Sequence, residues 1–135
     1  MKPPVTADLT WERELIFSAQ SGAAAMTLDS ASDAGPSPVQ TLAFSLAACM
    51  GMDVVHILRK GRHDLRGLHI ALTGTRAEED PRRLLTVDLR FEVNGAIPAD
   101  AVERAIQLSH DKYCSVWHSL RQDIRLTTST TISGT

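Results

Sequence analysis

At 135 residues, with 43% hydrophobic and 22% charged positions, the chain has the make-up of one ordinary globular domain with room for a core. Its net charge is −2 and its basic residues are scattered among acidic ones, which excludes the basic stripe of a nucleic-acid binder. No basic amphipathic helix marks a membrane surface, and the most apolar run, Thr41 to Met52, is too short for a bilayer and stops at Asp53.

The first residues, Met1-Lys2-Pro3-Pro4, carry no apolar signal, so a cytoplasmic location is expected. Val5 to Trp11 reads as a strand, and Leu15 to Ala19 as another, turning at Gln20-Ser21-Gly22. Ala24 to Leu28 is a third, alanine-weakened strand, and the small polar loop from Ser30 to Gly35 follows. Ser37 then reads as the N-cap of a long helix, with Pro38 at its first position and Gln40 completing a capping box. Gly61 is expected to supply the left-handed residue that ends it, behind Arg59 and Lys60, which suit the dipole. Apolar residues wrap nearly the whole circumference of this helix. It is therefore expected to be buried on most sides, by a sheet on one face and by a second copy of the chain on the rest.

Beyond Gly61, Leu68, Ile70 and Leu72 alternate with His69, Ala71 and Thr73 as a strand. The charged segment Glu78 to Arg83 reads as a hairpin loop, and Leu85, Val87, Leu89, Phe91 and Val93 alternate as a strand with one wet face. Pro98 opens a second helix that breaks around Asp111 to Tyr113; Cys114 to Arg121 forms a shorter one, and Ile124 to Ile132 a last strand. With no repeat or linker, the order implies a single α+β domain over 1–135, with an antiparallel sheet, a long buried central helix and helices gathered on one side.

The two cysteines carry the candidate chemistry. Cys49, in Ala47-Ala48-Cys49-Met50-Gly51-Met52, reads by its surroundings as a small core residue. Its small neighbours would nonetheless admit a close approach, and Met50 and Met52 would line an apolar substrate pocket. Cys114, beside Lys112 and at an expected helix start between His110 and His118, sits where a thiolate would be favoured. A permanent disulfide is not expected in a reducing compartment. A metal site through His110, Cys114, His118 and Cys49 has an unusual spacing and no C-x-x-C pair, so no metal ligands are assigned and no cofactor is expected. Asp53, one turn beyond Cys49, needs a partner if buried.

Gly35-Pro36-Ser37-Pro38, the apolar helix with Ala48-Cys49, Asp53-Val54-Val55 and Lys60-Gly61-Arg62, and later Asp111-Lys112-Tyr113-Cys114-Ser115-Val116, resemble the OsmC/Ohr family of osmotically inducible and organic-hydroperoxide-resistance proteins. The resemblance implies an intertwined homodimer and a thiol peroxidase in which Cys49 attacks an organic hydroperoxide and Cys114 resolves the product to a Cys49–Cys114 disulfide. An external dithiol, lipoyl-type in the Ohr branch, would restore the thiols. Ohr-type members also use an Arg and a Glu near the thiolate. Arg13 is the candidate for the first. The Glu is absent, because the Asn-Pro-Glu-Gln pattern reads Ser37-Pro38-Val39-Gln40 here, and Gln40 could bond Arg13 without neutralising it. The chain therefore looks closer to an OsmC-like side branch. The alternative to catalysis is a dimer of the same fold that binds a small apolar ligand.

Overall fold

The computed structural model describes residues 2–134; Met1 and Thr135 lie outside them. The chain divides between Leu42 and Ala43 into two compact units. It is an α+β protein with two three-stranded sheets.

The first unit is an antiparallel meander of β1 (Asp8–Arg13), β2 (Ile16–Ser21) and β3 (Ala24–Asp29). β1 starts later and runs further than the sequence suggests, because pairing with β2 extends to Arg13 through an irregularity after Trp11 that sets Arg13 opposite Ile16. The indole N–H of Trp11 donates to the Glu14 carbonyl at 2.7 Å and closes that corner. At the end of β3, the buried Asp29 carboxylate accepts backbone N–H groups from Ala31, Asp33 and Ala34. Those bonds hold its pKa below the usual carboxylate range and pin the loop that leads to the long helix.

That helix, α1 (Pro38–Lys60), begins as its sequence requires. The Gln40 N–H donates to Ser37 Oγ at 3.2 Å and the Ser37 N–H to Gln40 Oε1 at 2.9 Å, a reciprocal capping box. Its end differs from expectation. The left-handed residue is Arg62 (φ +62°), not Gly61, whose N–H still bonds Ile57. Arg62 donates to Arg59 and His63 to Leu58, each at 3.0 Å, the paired bonds of a Schellman stop. That motif places its left-handed residue one position beyond the glycine.

In the second unit, Leu46, Met50, Val54 and Leu58 form one fully buried stripe of α1 at four-residue spacing. Each contributes roughly 1.5–3 kcal/mol by leaving water. The stripe packs into one core with Val87, Leu89, Phe91 and Val93 of β5 (Leu84–Asn94). Glycine at 51 lets the helix lie close to β4 (Gly67–Arg76), since a Cβ there would stand 2.7 Å from Ile70 Cδ1. By length and composition α1 could cross a membrane, but this stripe is buried in protein. The opposite face is not covered within the unit: Phe44 and Met52 are 62% and 70% exposed.

β4 and β5 pair antiparallel, as expected, whereas β6 (Arg125–Ser133) joins β5 in parallel. The reason lies between them. A crossover through α2 (Ala99–Leu108), a π-helical turn (Ser109–Tyr113) and α3 (Ser115–His118) returns the chain to the end where β5 began. The break anticipated at Asp111–Tyr113 is this widened turn, in which the Cys114 N–H reaches back five residues to the Ser109 carbonyl at 2.8 Å. The helix after it is only four residues long.

Candidate redox site

Cys49 and Asp53 are one turn apart on α1, at the border of its buried stripe, and both are half-buried. The π-helical turn delivers Cys114 against them. The sulfurs of Cys49 and Cys114 and a carboxylate oxygen of Asp53 all lie within 4.8 Å of one another. Neither cysteine is in a disulfide. A disulfide holds its sulfurs about 2.05 Å apart, so bonding would require the two thiols to approach further.

Ser109 holds the arrangement. Its side chain is fully buried, and its hydroxyl donates to Asp53 Oδ2 at 2.7 Å while its carbonyl takes the Cys114 N–H. One residue thus ties the second cysteine to the turn of α1 that follows the first. The partner that Asp53 needs is Ser109, which sequence reasoning did not single out. Its one trace in the sequence is a small polar residue continuing the apolar side of α2.

The electrostatics of Cys114 differ from the sequence reading. Lys112 and a helix start suggest a thiolate, but Lys112 is exposed, with Nζ 5.3 Å above the Tyr113 ring, and the Cys114 side chain has no exposure. Burial, together with Cys49, pushes the Cys114 pKa up to about 11, against the Trp117 N–H, which donates to Sγ at 3.3 Å. Cys114 is therefore a thiol at neutral pH.

The other candidates disperse. Met50 is fully buried in the core, while Met52 lies on the exposed face beside a cavity of about 770 Å³ that Ala48, Gly51 and Val55 also line. The two methionines do not line one pocket. Gln40 forms the cap and also accepts from Ser32 Oγ at 2.8 Å. Arg13 is exposed at the end of β1 and contributes to lowering the Asp29 pKa. His110 and His118 are not in the cysteine cluster: His110 pairs with Asp111 at 2.8 Å and packs against Trp117, and His118 Nε2 lies 2.9 Å from the His110 carbonyl. The π-helical turn destroys the four-residue spacing that would have aligned them with Cys114.

Residues 14–129 match the family model described as OsmC-like protein. The chain is 36% identical over 126 residues to Protein YhfA of Escherichia coli K12, covering 91% of this chain and 94% of that protein, under a name that states no activity. Among solved structures it is similar to a hypothetical protein of Aquifex aeolicus (TM-score 0.92, 27% identity, 99% of both chains). It is also similar in fold to the organic hydroperoxide resistance protein OhrB of Bacillus subtilis (TM-score 0.65, 16% identity, 93% of this chain and 98% of that one).

Proposed function

From the premise that this chain belongs to the OsmC-like family, whose members include redox and peroxide-related proteins, we propose that it is a thiol peroxidase for organic hydroperoxides acting through Cys49 and Cys114. The observation that carries the reading is the closeness of the two sulfurs, both unbonded, from segments 65 positions apart in sequence. Two free thiols meeting by chance at the edge of a core would serve no packing need that one cysteine and an alanine could not meet.

The roles follow from the surroundings. Cys114 stays protonated, so attack falls to Cys49, which is half-buried rather than sealed. The Cys49 sulfur takes the terminal oxygen of the hydroperoxide, the O–O bond breaks, and the departing alkoxide leaves as the alcohol after gaining a proton. Cys114 then bonds the sulfur of the sulfenic acid; its proton and the displaced hydroxide leave as water. An external dithiol, possessing two thiols as lipoyl groups do, returns the pair to its reduced form by exchange. The apolar wall that Ala48, Met52, Val55 and Leu68 give the cavity on the same helix as Cys49 supports a substrate with an apolar tail over hydrogen peroxide, while His56, Arg59 and Lys60 line its other side.

Family members are typically homodimers. The exposed Phe44–Met52 face of α1 supports the same state here, and a cytoplasmic setting suits a pair that must be kept reduced. A second reading, an apolar-ligand binder, draws on the same cavity. One experiment separates them. Reduced protein is given one equivalent of cumene hydroperoxide, and its intact mass is measured. Loss of two hydrogens, abolished in Cys49→Ser, supports the peroxidase; an unchanged mass overturns it.

A further inference from the structure

The cluster that brings the two cysteines together contains a third group that the proposed reaction does not use. Asp53 places a carboxylate oxygen within 4.8 Å of both sulfurs, and nothing in a two-cysteine peroxidase cycle requires an anion there. A carboxylate next to a sulfur that must attack as an anion opposes that chemistry by charge repulsion. Its presence fits a cation.

We propose that Cys49, Cys114 and Asp53 form a binding site for a single Zn²⁺ ion, available only while both cysteines are reduced. The donor set is two thiolates and one carboxylate, which suits a borderline-soft divalent cation over Mg²⁺ or Ca²⁺. The spacing agrees. Tetrahedral zinc with bonds near 2.3 Å to sulfur and 2.1 Å to oxygen needs ligand atoms about 3.6–3.8 Å apart, within the spread of this cluster.

The surroundings match a metal site beyond its ligands. Ser109 Oγ donates to Asp53 Oδ2 at 2.7 Å and so orients the carboxylate beside the two sulfurs. The Trp117 N–H, 3.3 Å from Cys114 Sγ, steadies that sulfur when it loses its proton. Three protein ligands are present among the described residues, which leaves a fourth position for a water ligand, and Asp53 also lines an adjoining cavity of about 580 Å³. Two thiolates, a carboxylate and Zn²⁺ sum to a charge of −1, and Lys60 and Arg104 line the same cavity with compensating charge.

On binding, each cysteine releases its proton and each sulfur lone pair enters a bond to zinc. The metal and the hydroperoxide then compete for the same Cys49 sulfur. When the hydroperoxide wins, it takes two electrons from the two thiolates and two protons from solvent to give the alcohol and water, the sulfurs form their disulfide, and Zn²⁺ leaves with two of its three ligands gone. This competition rests on the peroxidase reading; the binding of zinc does not.

The test is a titration of Zn²⁺ alone into the full-length reduced protein, against a chromogenic chelator, with thermal unfolding to confirm that each variant is folded. The expected result is one ion per chain, no binding after conversion of the wild type to the disulfide by diamide, and an affinity at least about tenfold weaker in Asp53→Asn, in line with the loss of a ligand. The diamide arm carries no substitution, so it stands even where Cys114→Ser, at a fully buried position, does not fold. Absence of binding, retention of zinc by the disulfide form, or a loss below about tenfold in folded Asp53→Asn overturns the inference. Zinc binding without any mass change on hydroperoxide treatment would instead overturn the peroxidase reading, and disulfide formation without zinc binding would leave that reading standing alone.

Discussion

Ser109 and Asp53 are 56 residues apart in sequence and joined by a 2.7 Å hydrogen bond between a fully buried hydroxyl and a half-buried carboxylate. Through the Ser109 carbonyl the same residue receives the Cys114 N–H. The distance between the two sulfurs therefore depends on a residue that has no sulfur chemistry of its own.

Removing that hydroxyl should loosen the site. Ser109→Ala leaves the Asp53 carboxylate short of its buried donor, at a cost of about 1–3 kcal/mol in folding free energy. Chemical denaturation should show the midpoint falling without a change in slope. The same variant should form the Cys49–Cys114 disulfide more slowly after one equivalent of hydroperoxide, because the two cysteine segments lose their tie. An equal rate in a measurably destabilised variant would mean that Ser109 serves the fold alone.

The raised pKa of Cys114 gives stability a pH dependence of known sign. The folded thiol titrates near 11, against 9.0 for an ordinary cysteine, so the folded state holds a proton that the unfolded state releases first. This contribution is fully present below pH 9.0 and is lost as pH rises toward 11. Melting temperature should fall over that window in the reduced wild type, and the fall should be smaller in Cys114→Ser. The resolving step should respond in the opposite direction. Disulfide formation from the sulfenic acid should accelerate across the same range as the Cys114 thiolate becomes populated, readable by quenched-flow mass measurement.

The capping box of Ser37 and Gln40, the alternation of β5 and the length of α1 were all legible because each is a local rule written in consecutive residues. What escaped was set by longer-range events. The left-handed position fell on Arg62 because the Schellman bonds count from Leu58 and Arg59, and a glycine at 61 only marks the neighbourhood. The parallel pairing of β6 was implicit in the helical crossover after β5 but not in the alternation of either strand. The π-helical turn at Ser109–Tyr113 carries no composition cue, and it decides the site: it moves His110 and His118 out of line with Cys114 and turns Ser109 toward Asp53. Burial of Cys114 likewise overrode its neighbour Lys112, since adjacency in sequence does not place a charge near a sulfur.

Gly51 allows a specific packing test. A side chain there would enter the space of Ile70 Cδ1, the mobile end of an aliphatic group, so small additions are tolerated and large ones are not. Gly51→Ala should change stability by under about 1 kcal/mol, as the gain in helix propensity offsets the crowding. Gly51→Val should cost about 1–3 kcal/mol through overpacking, and Ile70→Ala in the same chain should recover part of it. A double-mutant cycle with no coupling would show that α1 and β4 do not meet at this point.

The exposed face of α1 should be where a second copy docks. Phe44, Ala48, Met52 and Val55 recur at spacings of four and three and so share one side of the helix, opposite the stripe of Leu46, Met50, Val54 and Leu58. Phe44 and Met52 are 62% and 70% exposed, an unfavourable state for two large apolar groups on one rigid face. Burying them against a copy of themselves would stabilise association by roughly 1.5–3 kcal/mol for each side chain, and a two-fold axis presents every such contact twice. Met52→Glu should therefore place two carboxylates near that axis, where like charges repel in a setting that excludes water. Sedimentation velocity should find the wild type as a dimer and Met52→Glu shifted to monomer at micromolar concentration, with Met52→Leu unchanged. Because Cys49 lies on the same helix, three residues before Met52, peroxide turnover should fall with the dimer fraction wherever the partner completes the substrate cavity. A monomeric Met52→Glu with full turnover would assign the whole reaction to one chain.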